Sequence, residues 1–432
     1  MGPIDSTSAS EAGRTPSGPA RSSSGRTSSD GRAPGAEGRP DVLHAVQPGD
    51  GGVARVVTDL VRAQLADGLR VAVACPPDTG LASAARAEGA DTYAWRAGRE
   101  PGPRLFRETR ELARLIRSAG PALVHAHSAK AGLCARLALR GRIPTVYQPH
   151  AWSFEAVEGT TAALARRWER TAARWTARVV CVSEAERLTG ERAGVRAPWS
   201  VIHNGVDTTR FTPVPGTADV PPPGGDPAWP EAAAGAAGPE AASAARGPVV
   251  VCVGRLCRQK GQDVLLAAWP EVLARVPGAR LVLVGDGPDA ERLRAVAGGS
   301  VTFAGAVADT APWYRAADVV VLPSRWEGMA LAPLEAMASG RPVVVGDVDG
   351  ARESLAPGHE GLCLVPPGDP AALAAALGRL LARPALRHSL GREAREHVLS
   401  RFDVRRTGAA VAELYRELAG VRCTEHREPI AQ

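Results

Sequence analysis

The sequence predicts an α/β protein built as two doubly wound domains of parallel strands and helices, facing each other across a cleft. Three observations lead there. Short apolar runs rich in β-branched residues alternate with amphipathic helical stretches along most of the chain. The alternation stops once, at a Pro/Ala/Gly-rich segment near the middle, and then restarts. A length of 432 residues exceeds one ordinary domain and suits two with cores of their own.

Residues 1–39 are rich in Ser, Gly, Arg and Pro, without the apolar core of a secretory signal, and read as a disordered tail. The first Rossmann-like domain, 40–212, has strand-like runs at 42–46, 71–74, 123–126, 145–147 and 179–182. Helical patterns lie between them at 53–66, 104–118 and 164–176. Segment 213–247 has neither period and reads as a linker or insertion. The second Rossmann-like domain, 248–403, has strand-like runs at 249–253, 281–284, 319–322 and 343–345, and helical patterns at 263–275, 290–296, 331–339 and 370–381. A last helix, 404–420, has no strand after it and is expected to cross back to the first domain; 421–432 reads as a second tail.

The apolar fraction of 44% and charged fraction of 23% are those of a soluble globular chain. No apolar run approaches the roughly 18 residues of a membrane span. The seven cysteines are scattered, with no pair spaced by two residues, which points to a reduced cytoplasmic chain without zinc or disulfides. The net charge of +6 is carried almost wholly by arginine; Lys130 and Lys260 are the two lysines. A GC-rich coding bias explains the arginine excess. Both lysines nevertheless lie near glycine in candidate ligand loops, and a compact ammonium does not replace a guanidinium fork. No basic block or interleaved aromatic pattern supports nucleic-acid binding. Peripheral membrane contact stays open.

Ligands of such sheets sit at the carboxyl ends of strands, near helix N-termini. The run 319–322 leads through Pro-Ser-Arg-Trp-Glu327-Gly into a helix near Leu331, so the N–H groups of Met329, Ala330 and Leu331 form an anion site suited to a diphosphate. Glu335, about one turn further in, can accept hydrogen bonds from two vicinal hydroxyls. Glu327 lies where a sugar beyond the diphosphate would be. Taken singly, Glu335 also reads as a dipole-stabilising carboxylate and Glu327 as a solvated turn residue. After 249–253, Gly-Arg255-Leu-Cys-Arg-Gln-Lys260-Gly outlines a phosphate loop, or else an ordinary basic turn; it lacks the Walker order. Gly285-Asp-Gly-Pro288 is a weak turn signal, and Phe303–Val307, after a third strand, can line a base pocket.

In the first domain, Gly51 and Gly52 let a ligand approach the backbone closely, or simply form a strand-to-helix turn. His125 and His127 alternate with apolar residues, so one is expected to point inward. His150 follows a strand directly into a loop. There is no dinucleotide fingerprint, nucleophile elbow or zinc-binding pair.

These motifs resemble glycosyltransferase family 4, retaining enzymes of the GT-B architecture, over about 42–212 and 248–418. The resemblance rests on Glu327 and Glu335, Gly-Arg-Leu with Lys260-Gly, Gly-Asp-Gly-Pro, and His203-Asn-Gly-Val-Asp207. It implies that Glu335 holds the donor ribose and Glu327 the transferred sugar. Arg255, Lys260 and the amides of 329–331 would hold the diphosphate, Gly51 and Gly52 would approach it from the other domain, Val307 would meet the base, and His150 would orient donor and acceptor. Ala330 departs from a common glycine, and its methyl crowds the loop. The resemblance implies no metal and no cofactor beyond a nucleotide-diphosphate sugar, from UDP or GDP, as co-substrate. It points to a saccharide or lipid-linked saccharide acceptor, as in polysaccharide-assembly members. A small natural-product acceptor, a nucleotide-sugar epimerase and a non-catalytic binder are the other readings.

Overall fold

The computed structural model describes residues 38–213 and 247–420. The two tails and the 213–247 segment, apart from their edges, lie outside the described residues. The first sheet has seven parallel strands: β1 (Val42–Val46), β2 (Val71–Cys75), β3 (Asp91–Ala94), β4 (Leu123–His127), β5 (Thr145–Gln148), β6 (Arg178–Cys181) and β7 (Trp199–Val201), in the order β3-β2-β1-β4-β5-β6-β7. The second has β8 (Val249–Val253), β9 (Arg280–Val284), β10 (Val301–Gly305), β11 (Val319–Leu322), β12 (Val343–Gly346) and β13 (Leu364–Val365), in the order β10-β9-β8-β11-β12-β13. Each sheet reverses its winding once, between β1 and β4 and between β8 and β11. A crevice opens at such switch points, and the candidate loops lie there.

The strands the sequence signals best are those buried on both faces: β1, β2, β4 and β11 have no exposed residue. Four strands carry little signal. β3, β7, β10 and β13 are the sheet edges, two to five residues long, and include half-buried positions. Helices 80–88, 128–139, 184–192 and 384–401, and the short helices 311–316, 351–354 and 360–363, lie outside the helical patterns read from the sequence. Phe303 lies inside β10 rather than after it. Lys130 is not in a ligand loop: it sits in the helix Ser128–Leu139, where its ammonium is buried 2.6 Å from the Glu108 carboxylate.

The last helix, Val404–Ala419, begins where the Asp403 side chain accepts from the Arg405 N–H at 2.9 Å. Its Val411, Leu414 and Tyr415 pack with Val57, Leu60 and Val61 of the first helix, Gly52–Ala66, in the first domain's core. The domains are thus joined by this helix as well as by the 213–247 connection. Among the described residues no helix is long and apolar enough to cross a membrane.

Candidate active site

On the second-domain side the glycines set the geometry. The turn after β8 ends at Gly261, which has φ 71°, and a Cβ there would lie 2.0 Å from the Pro323 carbonyl oxygen. The loops after β8 and β11 are therefore in backbone contact. Gly285, after β9, braces the other side, since a Cβ would lie 2.1 Å from the Gly254 carbonyl oxygen. Gly254 N–H donates to Val284 O at 2.9 Å and Leu256 N–H to Asp286 O at 3.0 Å. The Gly-Asp-Gly-Pro turn is thus the backbone support of the Arg255 loop.

That contact brings Lys260 onto Glu327. The Lys260 Nζ to Glu327 Oε1 distance is 2.5 Å, and Ser324 Oγ donates to the same oxygen at 2.7 Å. Glu327 is 8% exposed, so it is not a solvated turn residue. Arg255 is exposed. Arg99, from the first domain, faces it; burial first, and then the Arg255 charge, hold the Arg99 guanidinium below its ordinary value.

Glu335, in the helix Leu331–Ala338, is also buried. Tyr314 donates its hydroxyl to it at 2.7 Å, and Arg55 of the first domain approaches to 3.8 Å. Burial pushes the Glu335 carboxyl up, against the pull of Arg55 and Tyr314. Among the described residues the N–H groups of Met329, Ala330 and Leu331 have no acceptor, whereas the carbonyls beside them are tied down. Ser183 Oγ donates to Gly328 O at 2.9 Å and Asn204 Nδ2 to Met329 O at 2.7 Å. The loop is clamped by its oxygens and leaves its nitrogens free, which is the arrangement an anion needs. Ala330 lines, with Ser324, Glu327, Pro333 and Asp349, an open pocket beside this loop.

On the first-domain side, Gly51 (φ 83°) and Gly52, the first residue of its helix, have nothing within 4 Å of a Cβ position. Their backbone is open to a ligand. His150 has φ 56° and Ala151 φ 100°, two left-handed residues without the excuse of glycine. The Glu186 carboxylate holds this bend by accepting from Ala151 N–H at 2.6 Å. A Cβ on Gly328 would lie 3.0 Å from Ala151 N, so the His150 bend abuts the Glu327 turn across the cleft. Val307 lies two residues beyond β10, half-buried against the second core. The expectation for His125 and His127 is corrected. Residues two apart on a strand share a face, and both are fully buried, their ring centroids 4.0 Å apart.

The geometry thus gives two sheets with facing switch points, an anion-ready helix start and a carboxylate on either side of it. Family models match both halves: the one described as Glycosyltransferase Family 4 over residues 50–210, and the one described as Glycosyl transferases group 1 over residues 247–383.

The chain belongs to glycosyltransferase family 4.

Relatives of this family 4 chain include a lipopolysaccharide core biosynthesis mannosyltransferase of Rhizobium leguminosarum bv. viciae, 31% identical over 55% of this chain and 65% of its own. A GDP-mannose-dependent alpha-(1-6)-phosphatidylinositol monomannoside mannosyltransferase of Mycolicibacterium smegmatis is 37% identical over 49% and 54%. The chain spans less than two thirds of the length of these relatives. Among solved structures, Anabaena HepE in complex with UDP and glucose aligns with TM-score 0.72 at 22% identity, over 88% of this chain and all of that one. A sucrose-phosphate synthase from Thermosynechococcus elongatus aligns with TM-score 0.70 at 26% identity, over 88% and 99%. These likenesses show the GT-B fold.

Sequence reasoning missed several residues of the family 4 cleft. Arg55 was legible, one turn into the helix that Gly51-Gly52 opens. Arg99, Tyr314 and Ser183 carry no local signal, because each acts across a contact that only the folded chain makes; Asn204 lies in the His203–Asp207 motif, but its bond to the Met329 carbonyl is not legible there.

Proposed function

We propose that the chain transfers a hexose-type sugar from a nucleotide-diphosphate sugar, UDP- or GDP-linked, to a hydroxyl of a cell-envelope or lipid-linked saccharide. Transfer is with retention and needs no metal. One observation carries the reading: the unpaired amides of 329–331 lie between two buried carboxylates, Glu327 and Glu335, with Lys260 and Arg255 on the adjoining loop. The relatives that act on lipopolysaccharide core and phosphatidylinositol mannosides support the acceptor class, and the GDP-mannose-dependent one supports a sugar nucleotide as donor.

In this proposal the diphosphate takes the amides, Arg255 and Lys260, and approaches the open backbone at Gly51 and Gly52. Lys260 exchanges Glu327 for phosphate, and Glu327 is released to the sugar hydroxyls. Glu335 holds the ribose, Val307 meets the base, and His150 faces the sugar from the other domain. The acceptor hydroxyl attacks on the face the leaving phosphate vacates, and that phosphate takes its proton. The protein supplies position and charge, so no carboxylate need act as a nucleophile. The work is done on the cytoplasmic side, where sugar nucleotides are found.

The test is thermal denaturation with UDP, GDP and ADP, followed by mass spectrometry of a sugar-nucleotide panel with and without acceptor extract. One diphosphate should raise the melting temperature, because it binds the folded chain alone. If none does, the donor site is misread. Conversion of a UDP-sugar without transfer would make the chain an epimerase.

A further inference from the structure

Four histidines meet beneath the first-domain side of the cleft: His44 on β1, His125 and His127 on β4, and His150 just after β5. The first three are fully buried. Three such rings, with nitrogens within 4.8 Å of one another, invite a metal. Their nitrogens are already committed, however. His44 Nε2 lies 2.8 Å from Gln64 Oε1, and His44 Nδ1 2.9 Å from His127 Nε2. His127 Nδ1 lies 3.1 Å from His150 Nε2, and His125 Nδ1 2.6 Å from the Tyr415 hydroxyl. A metal would have to break this set, so the hydrogen-bonded chain is the feature to explain.

A neutral imidazole has one donor and one acceptor nitrogen. A chain of neutral rings must therefore run one way, with its direction set at its end. Burial keeps these rings neutral, pulling His44 down to about 4, His150 to about 3, and His125 and His127 well below their ordinary value. Gln64 Oε1 can only accept, so His44 donates through Nε2 and accepts at Nδ1. His127 then donates through Nε2 and accepts at Nδ1. His150 must donate through Nε2, which leaves its Nδ1 a bare lone pair.

The other end agrees. With Gln64 so placed, its Nε2 turns to Tyr415, the Tyr415 hydroxyl donates to His125 Nδ1, and His125 Nε2–H turns to Gln148. These outer links are looser, and Gln64 Nε2, His125 Nε2 and Gln148 Oε1 have no bond of standard geometry. Reversing the chain would require both glutamine amides to turn over. The strained backbone at His150 and Ala151, held by Glu186, fixes the same residue from its main chain.

We infer that this one-way chain fixes His150 as the Nε2–H tautomer, so that it meets the transferred sugar as a hydrogen-bond acceptor through Nδ1, and that His127, His44 and Gln64 are its positioning residues. The sugar-facing role of His150 rests on the proposed function; the tautomer does not.

The test uses the full chain labelled with ¹⁵N in the histidine rings. Long-range ¹H–¹⁵N correlation reads each tautomer, with single His→Gln variants for assignment. In the wild type His44, His127 and His150 should each carry hydrogen on Nε2, unchanged from pH 6 to 8. His127→Leu should release His150 into mixed tautomers and lower kcat about tenfold, with the donor KM little changed. His127→Gln, whose amide can donate to His44 and accept from His150, should restore both. If His127→Leu does not fold, Gln64→Glu serves: a carboxylate still accepts from His44, so His150 should keep its tautomer. A wild-type His150 with hydrogen on Nδ1, or one that swaps in Gln64→Glu, overturns the inference. So does a His127→Leu protein unchanged in tautomer, and an unchanged kcat removes the positioning role. Because the spectrum needs no donor, failure of the nucleotide to bind would count against the proposed function alone.

Discussion

Glu327 and Glu335 are both buried, yet their partners differ in kind. Glu327 is held by Lys260 and Ser324, groups of its own domain, on the loops after β8 and β11. Glu335 is held by Tyr314 and by Arg55, which comes from the other domain. If Lys260 takes phosphate as proposed, Glu327 is released when phosphate arrives, whereas Glu335, bonded to the Tyr314 hydroxyl with Arg55 at 3.8 Å, keeps its place and has acceptor capacity left for a ribose. Glu335→Ala should therefore weaken nucleoside-diphosphate binding by about 1.5–3 kcal/mol, the value of hydrogen bonds to a charged group. Glu327→Gln should leave that affinity within a few-fold and lower turnover by about a hundredfold. Titration calorimetry beside steady-state kinetics separates the two, and equal loss of binding in both variants would end this division of roles. At the same scale, His44 makes a pH prediction. Its folded pKa of about 4 lies below the unfolded 6.5. Below pH 6.5 the unfolded chain takes a proton that the folded chain refuses, so His44 favours unfolding increasingly as pH falls toward 4. Urea denaturation should lose stability across that window, and His44→Gln should flatten the slope by up to about 1.4 kcal/mol per pH unit.

At the scale of elements, the turn after β8 shows why some loops tolerate no side chain. Gly261 needs its left-handed φ of 71°, and its α-hydrogen points at the Pro323 carbonyl oxygen, 2.0 Å from where a Cβ would sit. Gly261→Ala must push the β8 and β11 loops apart and move Lys260 off Glu327. It should cost about 1–3 kcal/mol of stability, in the range of backbone strain, and show a larger loss of turnover than of melting temperature. An unchanged melting temperature would mean that the loops separate freely. The same contact explains what the sequence could tell. Strand, glycine turn, Arg255, Lys260, Glu327 and Glu335 are legible because each motif is local and repeats the period of its element. The pairing of Lys260 with Glu327 is not legible, since two separate loops must meet to make it. His44 and Gln64 escaped notice for a related reason. Within β1 a single histidine among Val, Leu and Ala looks like an ordinary core residue, and only the register that sets it beside His125 shows otherwise. The edge strands β3, β7 and β10 escaped because partial exposure dilutes their apolar pattern.

At the scale of the whole molecule, the two domains are tied at the loop proposed to hold the donor. Ser183 and Asn204 of the first domain hold the carbonyls of Gly328 and Met329, and Glu353 of the second caps a first-domain helix. The Glu353 carboxylate accepts from the N–H groups of Glu184 and Ala185, both at 2.8 Å, at the start of the helix Glu184–Arg192, and lies 3.1 Å from His203 Nε2. These contacts lie beside the amides of 329–331, so under the proposed function closing the domains and presenting the donor loop are one event. Glu353→Ala removes the cap, worth about 1 kcal/mol, without touching any group assigned to the donor. The free protein should then spend more of its time open, with a larger radius of gyration by X-ray scattering, and return to the closed value when the nucleotide binds. Since the donor must now supply the closing energy, its KM should rise about fivefold while kcat stays near the wild-type value. Gly328→Ala acts on the same event from inside, because its methyl would meet Val182, Glu186 and Ala151 at 2.8–3.0 Å and wedge the domains apart. That variant should show the larger radius with and without nucleotide, and its kcat should fall as well. If both variants scatter like the wild type, closure is governed by other contacts, such as those of the Val404–Ala419 helix, instead of by Glu353 and Gly328.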